Sequence, residues 1–252
     1  MPIIVEHIYR YPIKGLSPEP LQTVNLEAGE CLPGDRAYAL ARPGAPFDAS
    51  KPAHLPKTHF LMLMRDEALA SLDTAFDDAT KTLLISEGGV TRLEASVESD
   101  EGRAAITAFF KPFLGSGAAS APDLAHAPGH TFSDKPAKVV SLINLASVDA
   151  LSKVVGRTVD PLRFRANIYF QGAPAWAEFE WLGRNLTVGD CALEVIDRIP
   201  RCAATDVDPQ TARRDMHIPK TLMDSYGHMD MGLYARVSDG GALEIGDLIE
   251  VD

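Results

Sequence analysis

The chain has 252 residues, of which 46% are hydrophobic and 23% are charged, a composition typical of a folded globular protein of one or two domains. Aspartate and glutamate number 35 and lysine and arginine 24, which gives a formal net charge of -11. The composition excludes disordered and fibrous proteins. The negative charge disfavours a general nucleic-acid binder because it repels phosphate backbones, although a local basic pocket remains compatible with it.

The sequence predicts a cytoplasmic protein with no membrane association. No uncharged apolar run approaches the roughly 20 residues needed to cross a bilayer, and the first residues lack the basic start and apolar core of a signal peptide. Cys31, Cys191 and Cys202 show no paired spacing, which fits a reducing compartment better than a disulfide framework.

The first half of the chain shows strand, loop and helix patterns in turn. Residues 3–11 are rich in β-branched and aromatic residues and predict a strand. Four prolines in residues 43–57 indicate an ordered surface loop, a common place for ligand contacts. Beyond it we predict an amphipathic helix over 65–76, a hairpin with a Gly-Gly turn over 82–94, and a core-packed helix over 101–114.

A segment rich in glycine, alanine, serine and proline divides the chain. After it we predict a strand over 137–142 and a helix from Asn144 to Val155. The near-repeats at 186–195 and 243–251 each place a Gly-Asp turn before an alternating strand, as in a compact barrel. The fold class predicted is therefore mostly β with some α. Its parts are an N-terminal β domain at 1–115, a linker or insertion at 116–136, and a C-terminal barrel domain at 137–252.

Several basic residues follow predicted strands or turns, where they can reach a pocket. Lys14 follows the first strand directly, and Arg36 opens another strand after a Gly-Asp turn. Arg163 and Arg165 share a face if the backbone is extended, and two guanidinium groups on one face suit a phosphate or another oxyanion. The alternatives are a solvated lysine at 14 and an ion pair between these arginines and Asp160 or a neighbouring carboxylate.

Cys202 is the cysteine best placed for chemistry. It follows Pro200 and Arg201 at the end of a strand, which is a poor position for core packing, and an adjacent cation favours the thiolate. It could be a nucleophile or a soft metal ligand. Cys191 instead shares a strand face with apolar residues and is expected to be buried. Phosphate-loop, dinucleotide, zinc-protease and serine-hydrolase motifs are all missing from the sequence, which weakens those interpretations.

Together these motifs resemble the MOSC family, named for the molybdenum cofactor sulfurase C-terminal domain, with its companion N-terminal β-barrel domain. The similarity extends over nearly the whole chain, and its specificity lies in the order and spacing of short motifs. Those motifs are Tyr11-Pro-Ile-Lys14, Gly34-Asp-Arg36, Arg163-Phe-Arg-Ala-Asn-Ile168, Val188-Gly-Asp190, Arg201-Cys-Ala-Ala-Thr-Asp-Val-Asp-Pro209 and Ile245-Gly-Asp247.

The resemblance implies a MOSC-type β-barrel, a molybdenum-molybdopterin cofactor and a role for each matching residue. Cys202 would be the catalytic residue and the molybdenum ligand, and Tyr234 would close the pocket. The residues that would bind the phosphate and pterin, or complete the basic pocket around them, are Lys14, Arg36, Arg163, Arg165, Asn167 and Arg201. Gly15, Ala166 and Pro200 depart from the residue types typical of the amidoxime-reducing members, which bears on cofactor affinity and substrate.

The resemblance leaves three functions open. The first is a molybdenum-dependent reductase of N-hydroxylated or related small substrates, with electrons from a separate ferredoxin- or cytochrome-type donor and its reductase, since three cysteines cannot hold an iron–sulfur cluster here. The second is a sulfur carrier that holds a persulfide on Cys202 supplied by a cysteine desulfurase. The third is a non-catalytic molybdopterin-binding module. None of them involves nucleic acid or a membrane.

Overall fold

A computed structural model describes residues 1–115 and 120–252. This part of the chain is mostly β, as predicted, with fifteen strands and three α-helices. The strands are β1 Ile4–Arg10, β2 Glu19–Leu21, β3 Thr23–Leu26, β4 Tyr38–Ala41, β5 Leu72–Asp77, β6 Thr82–Glu87, β7 Val90–Ser96, β8 Asp123–His126, β9 Val140–Asn144, β10 Ile168–Gln171, β11 Asn185–Val188, β12 Cys191–Pro200, β13 Asp230–Asp239, β14 Gly241–Glu244 and β15 Ile249–Val251. The helices are α1 Asp100–Phe110, α2 Leu145–Val155 and α3 Ile218–Tyr226.

The main sheet has eight strands in the order β15-β11-β12-β13-β9-β10-β1-β2 and curls into a half barrel. All neighbouring strands run antiparallel except β9 and β10, which are parallel and joined through α2. The inward-facing residues of these strands form the largest apolar core. The helix after β9 begins and ends as predicted, because the Asn144 side chain accepts a hydrogen bond from the Ala146 N–H and Gly156 adopts the left-handed conformation.

The N-terminal region contributes to the main sheet as well as forming a smaller core of its own. β1 and β2 are part of the main sheet, where β1 lies between β10 and β2, and β3 pairs with β14 in a separate two-stranded sheet. Strands from before residue 27 thus share both sheets with C-terminal strands. A three-stranded meander of β5, β6 and β7 packs with α1 around the second core. Strand pairing therefore crosses the predicted boundary between the N-terminal and C-terminal domains.

Two expectations for the middle of the chain differ from the structure. The predicted helix over 65–76 is wrong: it is a 3-10 turn at Glu67–Ser71 followed by β5. Leu72 and Phe76 are buried four residues apart, a spacing that a helix and an alternating strand both satisfy, and pairing with β6 selects the strand. The predicted linker 116–136 contains β8, which pairs with β4, while its residues 116–119 lie outside the described residues.

The hairpin over 82–94 forms as predicted, as β6 and β7. None of the helices in the described ranges is both long and apolar enough to cross a membrane.

Candidate functional site

A single cavity of about 340 Å³ collects the predicted site residues. Its wall draws on the segment after β1, the loop before β4, the turn before β10, the end of β12 and the middle of β13. The predicted residues in that wall are Lys14, Arg36, Arg163, Arg165, Asn167, Arg201, Cys202 and Tyr234. The structure thus brings together side chains that are up to 220 positions apart in the sequence.

Lys14 is buried at the inner wall rather than solvated. The segment between β1 and β2 is fixed by a hydrogen bond from the Lys14 N–H to the Tyr38 carbonyl. The ammonium donates to the Phe132 carbonyl at 2.8 Å and pairs with the Asp134 carboxylate. Gly15 has a φ of +86°, a conformation that L side chains rarely adopt, so a glycine at this position suits the turn that directs Lys14 inward.

Arg36 and Arg165 form a cationic pair stacked on the Tyr11 ring. Their guanidinium carbons lie 4.8 Å and 4.2 Å from the ring centroid. Both residues have a φ of 52°, unusual for arginine, which is the kind of backbone strain found at functional sites. Arg36 donates to the Arg165 carbonyl at 2.9 Å and pairs with Asp35. The turn at 165 therefore positions one guanidinium and supplies the acceptor for the other.

Arg165 is a buried guanidinium that forms no salt bridge with the residues that the structure describes. Its Nη2 is buried and has no hydrogen-bond partner within residues 1–115 and 120–252. Burial, with a smaller contribution from the Arg36 charge, lowers the pKa of Arg165 to about 10. The group still carries its proton at pH 7, and an anionic group in the cavity would supply the missing partner.

The backbone from Arg163 to Arg165 is not extended, which was the condition for the two side chains to share a strand face. Residues Pro161–Phe164 form a 3-10 turn capped by the Asp160 side chain, and Arg165 follows it in the left-handed conformation. The Arg163 guanidinium pairs with the Asp208 and Asp215 carboxylates, each at 2.8 Å. Arg163 lines the cavity, but its guanidinium forms ion pairs with neighbouring carboxylates. This is the alternative to oxyanion binding that the sequence left open.

The polar groups of Arg201 and Asn167 also form hydrogen bonds within the protein. Arg201 donates to the carbonyls of Met231 and Phe164 at 2.5–2.8 Å. The Asn167 amide oxygen accepts from the Ser141 N–H and hydroxyl, and its nitrogen donates to the Tyr9 carbonyl. One amide N–H of Asn167 is left over, so these two residues chiefly hold the strands that form the wall.

The Cys202 thiol is half-buried at the cavity wall, outside the apolar core. It lies just beyond β12, where Cys202 precedes a 3-10 turn at Ala203–Asp206. The Lys57 ammonium is 3.3 Å from its Sγ and 3.2 Å from the Asp134 carboxylate. The contact places a cation beside the sulfur atom of the cavity, and a thiolate sulfur is the form that ligates metals and attacks electrophiles.

Tyr234 lies on β13 in the cavity wall, opposite Asp197 of β12 in the strand register. The Lys135 ammonium is 5.4 Å from the Tyr234 ring centroid and pairs with Asp197. These three side chains come from separate segments and together form part of the cavity wall.

Five charged residues that line the cavity were not among the predicted site residues: Asp35, Lys57, Asp134, Lys135 and Asp197. Lys57 ends the proline-rich segment 43–57, which the sequence marked as a place for ligand contacts without indicating which residue. Asp134 bridges Lys14 and Lys57; burial alone would raise its pKa, but the two ammonium groups outweigh it and hold the pKa below its ordinary range. No sequence signal identified Asp134 or Lys135, because both lie in the predicted linker.

The cavity is strongly basic although the chain is acidic. Seven basic and three acidic side chains line it, for a formal charge of +4 against -11 for the whole chain. A basic cavity with one thiol matches the donor set that a phosphate-bearing ligand with a soft metal requires. The uncompensated Arg165 Nη2 provides a buried donor for such a ligand. The residues present therefore fit the molybdenum-molybdopterin group implied by the resemblance.

Comparison with known proteins identifies the family of the C-terminal half of the chain. The MOSC domain family model matches residues 129–250. The chain contains a MOSC domain. The chain is 33% identical to the molybdenum cofactor sulfurase of Caenorhabditis briggsae over 113 residues, which are 43% of this chain. It is 31% identical to mitochondrial amidoxime reducing component 2 of Rattus norvegicus over 120 residues, also 43% of this chain. The aligned part spans only 15% and 35% of those relatives. Among solved structures, the YuaD protein from Bacillus subtilis aligns over 100% of this chain and 96% of its own at 13% identity and a TM-score of 0.47.

The family match extends across the 3-10 turn with Arg163, the Cys202 segment and β13. The MOSC domain thus supplies one wall of the cavity. Lys14, Arg36 and Lys57, which complete it, come from before residue 129.

Proposed function

We propose that this MOSC protein binds a molybdenum-molybdopterin cofactor in the basic cavity and reduces N-hydroxylated small molecules there. The observation that carries the proposal is the meeting of one half-buried thiol with a cavity of formal charge +4. A thiolate suits a soft metal, and cationic groups suit a phosphate. Similarity to proteins named amidoxime reducing components supports the choice of substrate class.

Each side chain has a distinct task in this proposal. Cys202 supplies the protein ligand to the metal. Lys14, Arg36 and Arg165 bind the anionic part of the cofactor, since Arg165 has a free donor and all three lie on the wall. When bound, the cofactor supplies the two-electron redox chemistry. Tyr234, on β13 in the cavity wall, closes the pocket over the cofactor.

The stoichiometry of the reduction shows which electrons and protons must be supplied. Reducing an N-hydroxyl group to N–H consumes two electrons and two protons and releases one water. The two protons come from solvent. The electrons come from a separate ferredoxin- or cytochrome-type protein, because the three cysteines of the chain are too few for a cluster of their own.

An activity assay with chemically supplied electrons tests the proposal. Protein expressed in a host that makes the cofactor is mixed with an aromatic amidoxime and a reduced viologen dye. We expect amidine formation by the wild type and by Cys31→Ser, and none by Cys202→Ala. Cofactor bound at one per chain without turnover would instead indicate a binding module, and equal turnover by Cys202→Ala would refute the role of the thiol.

A second function, a sulfur carrier, is favoured by the accessibility of Cys202 and the adjacent Lys57 ammonium. The Cys202 thiolate would attack the outer sulfur of a cysteine desulfurase persulfide, forming a persulfide on Cys202 and releasing the desulfurase thiolate. Intact-mass spectrometry after incubation with a desulfurase and cysteine distinguishes the two functions. A mass gain of one sulfur atom that Cys202→Ser abolishes would support the carrier, and an unchanged mass would exclude it.

A further inference from the structure

The Lys57 ammonium lies beside the cavity thiol and is not one of the groups assigned above to the cofactor. Its Nζ is 3.3 Å from the Cys202 Sγ. The Lys57 side chain is 29% exposed, whereas the Lys14 side chain is 7% exposed. A molecule that enters the cavity and reacts at the sulfur, or at a metal that the sulfur ligates, therefore meets a partly exposed cation.

The charge of Lys57 is only partly balanced. Its one ion pair within residues 1–115 and 120–252 is with Asp134, at 3.2 Å. The same carboxylate pairs with Lys14, so two ammonium groups share a single negative charge. Cys202 does not supply the missing charge once it ligates a metal, because the thiolate charge then balances the charge of the metal itself.

Lys57 also retains a hydrogen-bond donor for a ligand. The ammonium group of a lysine is charged at pH 7 and has three N–H groups. The Asp134 carboxylate and the Cys202 sulfur accept two of them, and no third acceptor lies within hydrogen-bond distance in the described parts of the chain. A carboxylate oxygen suits the third N–H, because hydrogen bonds between charged groups are stronger than those between neutral ones.

The other cations of the wall are already assigned or already paired. Lys14, Arg36 and Arg165 are assigned to the cofactor, and the Arg201 guanidinium donates to backbone carbonyls. Of the remaining two, Lys135 pairs with Asp197, and Arg163 pairs with Asp208 and Asp215. Among the described residues that line the cavity, Lys57 is therefore the unassigned cation that is incompletely balanced, and it contacts the thiol.

We propose that Lys57 selects the substrate of this cavity and favours small N-hydroxylated molecules that carry a carboxylate close to the N-hydroxyl group. The carboxylate accepts the free hydrogen bond of Lys57 while the N-hydroxyl group lies toward Cys202. The two groups must be close together in the substrate because Nζ and Sγ are only 3.3 Å apart. This inference rests on the proposed reductase function and names its substrate class.

A first test needs no cofactor. Iodoacetate and iodoacetamide are nearly equal in shape and alkylate the same thiolate, so the ratio of their rates at Cys202 reports the local charge and cancels the thiolate fraction. The rates are measured by peptide mass spectrometry on the full chain purified without cofactor. We expect Lys57→Met to lower the iodoacetate to iodoacetamide ratio about fivefold, the upper end for a partly exposed ion pair.

Two matched variants control for the charge and for the position. Lys57→Arg keeps a cation beside the thiol and should keep the ratio close to that of the wild type. Lys51→Met removes an exposed cation of the same segment that does not line the cavity, and it should leave the ratio unchanged. A ratio in Lys57→Met equal to that of the wild type would overturn the inference.

Turnover of two amidoximes by the cofactor-loaded chain then tests the substrate class. One is acetamidoxime with a carboxylate on its methyl carbon, and the other carries a primary amide there. We expect the wild type to show about fivefold higher kcat/KM for the acid, and this preference to be lost in Lys57→Met and kept in Lys51→Met. Turnover without preference for the acid would overturn this inference and leave the reductase function standing. No turnover of either amidoxime by molybdenum-loaded protein would overturn the proposed function, and the substrate class with it.

Discussion

The Arg163 guanidinium should stabilise the fold by holding the segment that follows Cys202. Its side chain is 1% exposed and joins the Asp208 and Asp215 carboxylates, whose side chains are 22% and 25% exposed. Replacing it with methionine removes the ion pair that Asp208 makes among the described residues and leaves Asp215 paired with Arg157 alone. Removing one member of a buried ion pair typically costs about 3–5 kcal/mol, and the partial exposure of the aspartates places this case near about 3 kcal/mol.

Urea denaturation measures this directly. With an unfolding slope of about 3 kcal/mol per molar urea, Arg163→Met should lower the midpoint by about 1 M. Arg157→Met is the matched control because Arg157 also pairs with Asp215, at 3.0 Å, but is 49% exposed. Exposed pairs contribute about 0–1 kcal/mol, so the control should shift the midpoint by less than about 0.3 M. Equal shifts in the two variants would refute the assignment of Arg163 as a buried clamp.

Other predictions concern the cavity wall. Asp134→Asn should lower the free energy of unfolding at pH 7, and this loss should shrink as the pH falls below about 4. The reason is that the pKa of Asp134 is lowered in the folded protein, so its stabilising charge is present above the ordinary carboxyl pKa and is lost in acid. Urea midpoints measured against pH check this, and a loss of stability that does not change with pH would contradict it. Lys57→Met should slow alkylation of Cys202 by iodoacetamide several-fold while Lys51→Met does not, as followed by peptide mass spectrometry; equal rates would exclude the ammonium–thiol contact. Gly15→Ala should lower the free energy of unfolding by about 1–2 kcal/mol because of its positive φ, and an unchanged value would argue against that backbone conformation.

The sequence was informative wherever a site residue is held by local structure. Lys14 and Arg36 follow a strand and a Gly-Asp turn, and Cys202 ends a strand; each is placed by its own segment, so short motifs sufficed to identify them. Helix α2 was equally predictable, since its Asn144 cap and Gly156 terminus are local signals.

The sequence pattern could not predict contacts between residues far apart in the chain. The insertion of β1 between β10 and β2 depends on partners that no spacing reveals, and so does the pairing of β8 with β4. Asp134 reaches Lys14 across 120 positions, and Lys57 reaches Cys202 across 145. Arg163 was misplaced for a local reason: Pro161 and the Asp160 cap start a 3-10 turn where an extended backbone was assumed.

The charge of the cavity depends on the fold as well as on the composition of the sequence. The sequence gives a net charge of -11, which disfavours anionic ligands over the surface as a whole. Folding gathers seven basic side chains around one cavity and leaves it at +4. A small phosphate-bearing ligand is compatible with this distribution, whereas an extended polyanion is not.

Molybdenum content after expression in a cofactor-producing host tests the central claim most directly. We expect one molybdenum per chain in the wild type and in Cys31→Ser, little in Arg165→Met, and none in Cys202→Ser, all measured by elemental analysis on folded protein. Molybdenum retained at the wild-type level by Cys202→Ser, or absent from the wild type under these conditions, would contradict the assignment of the basic cavity as a molybdenum-cofactor site.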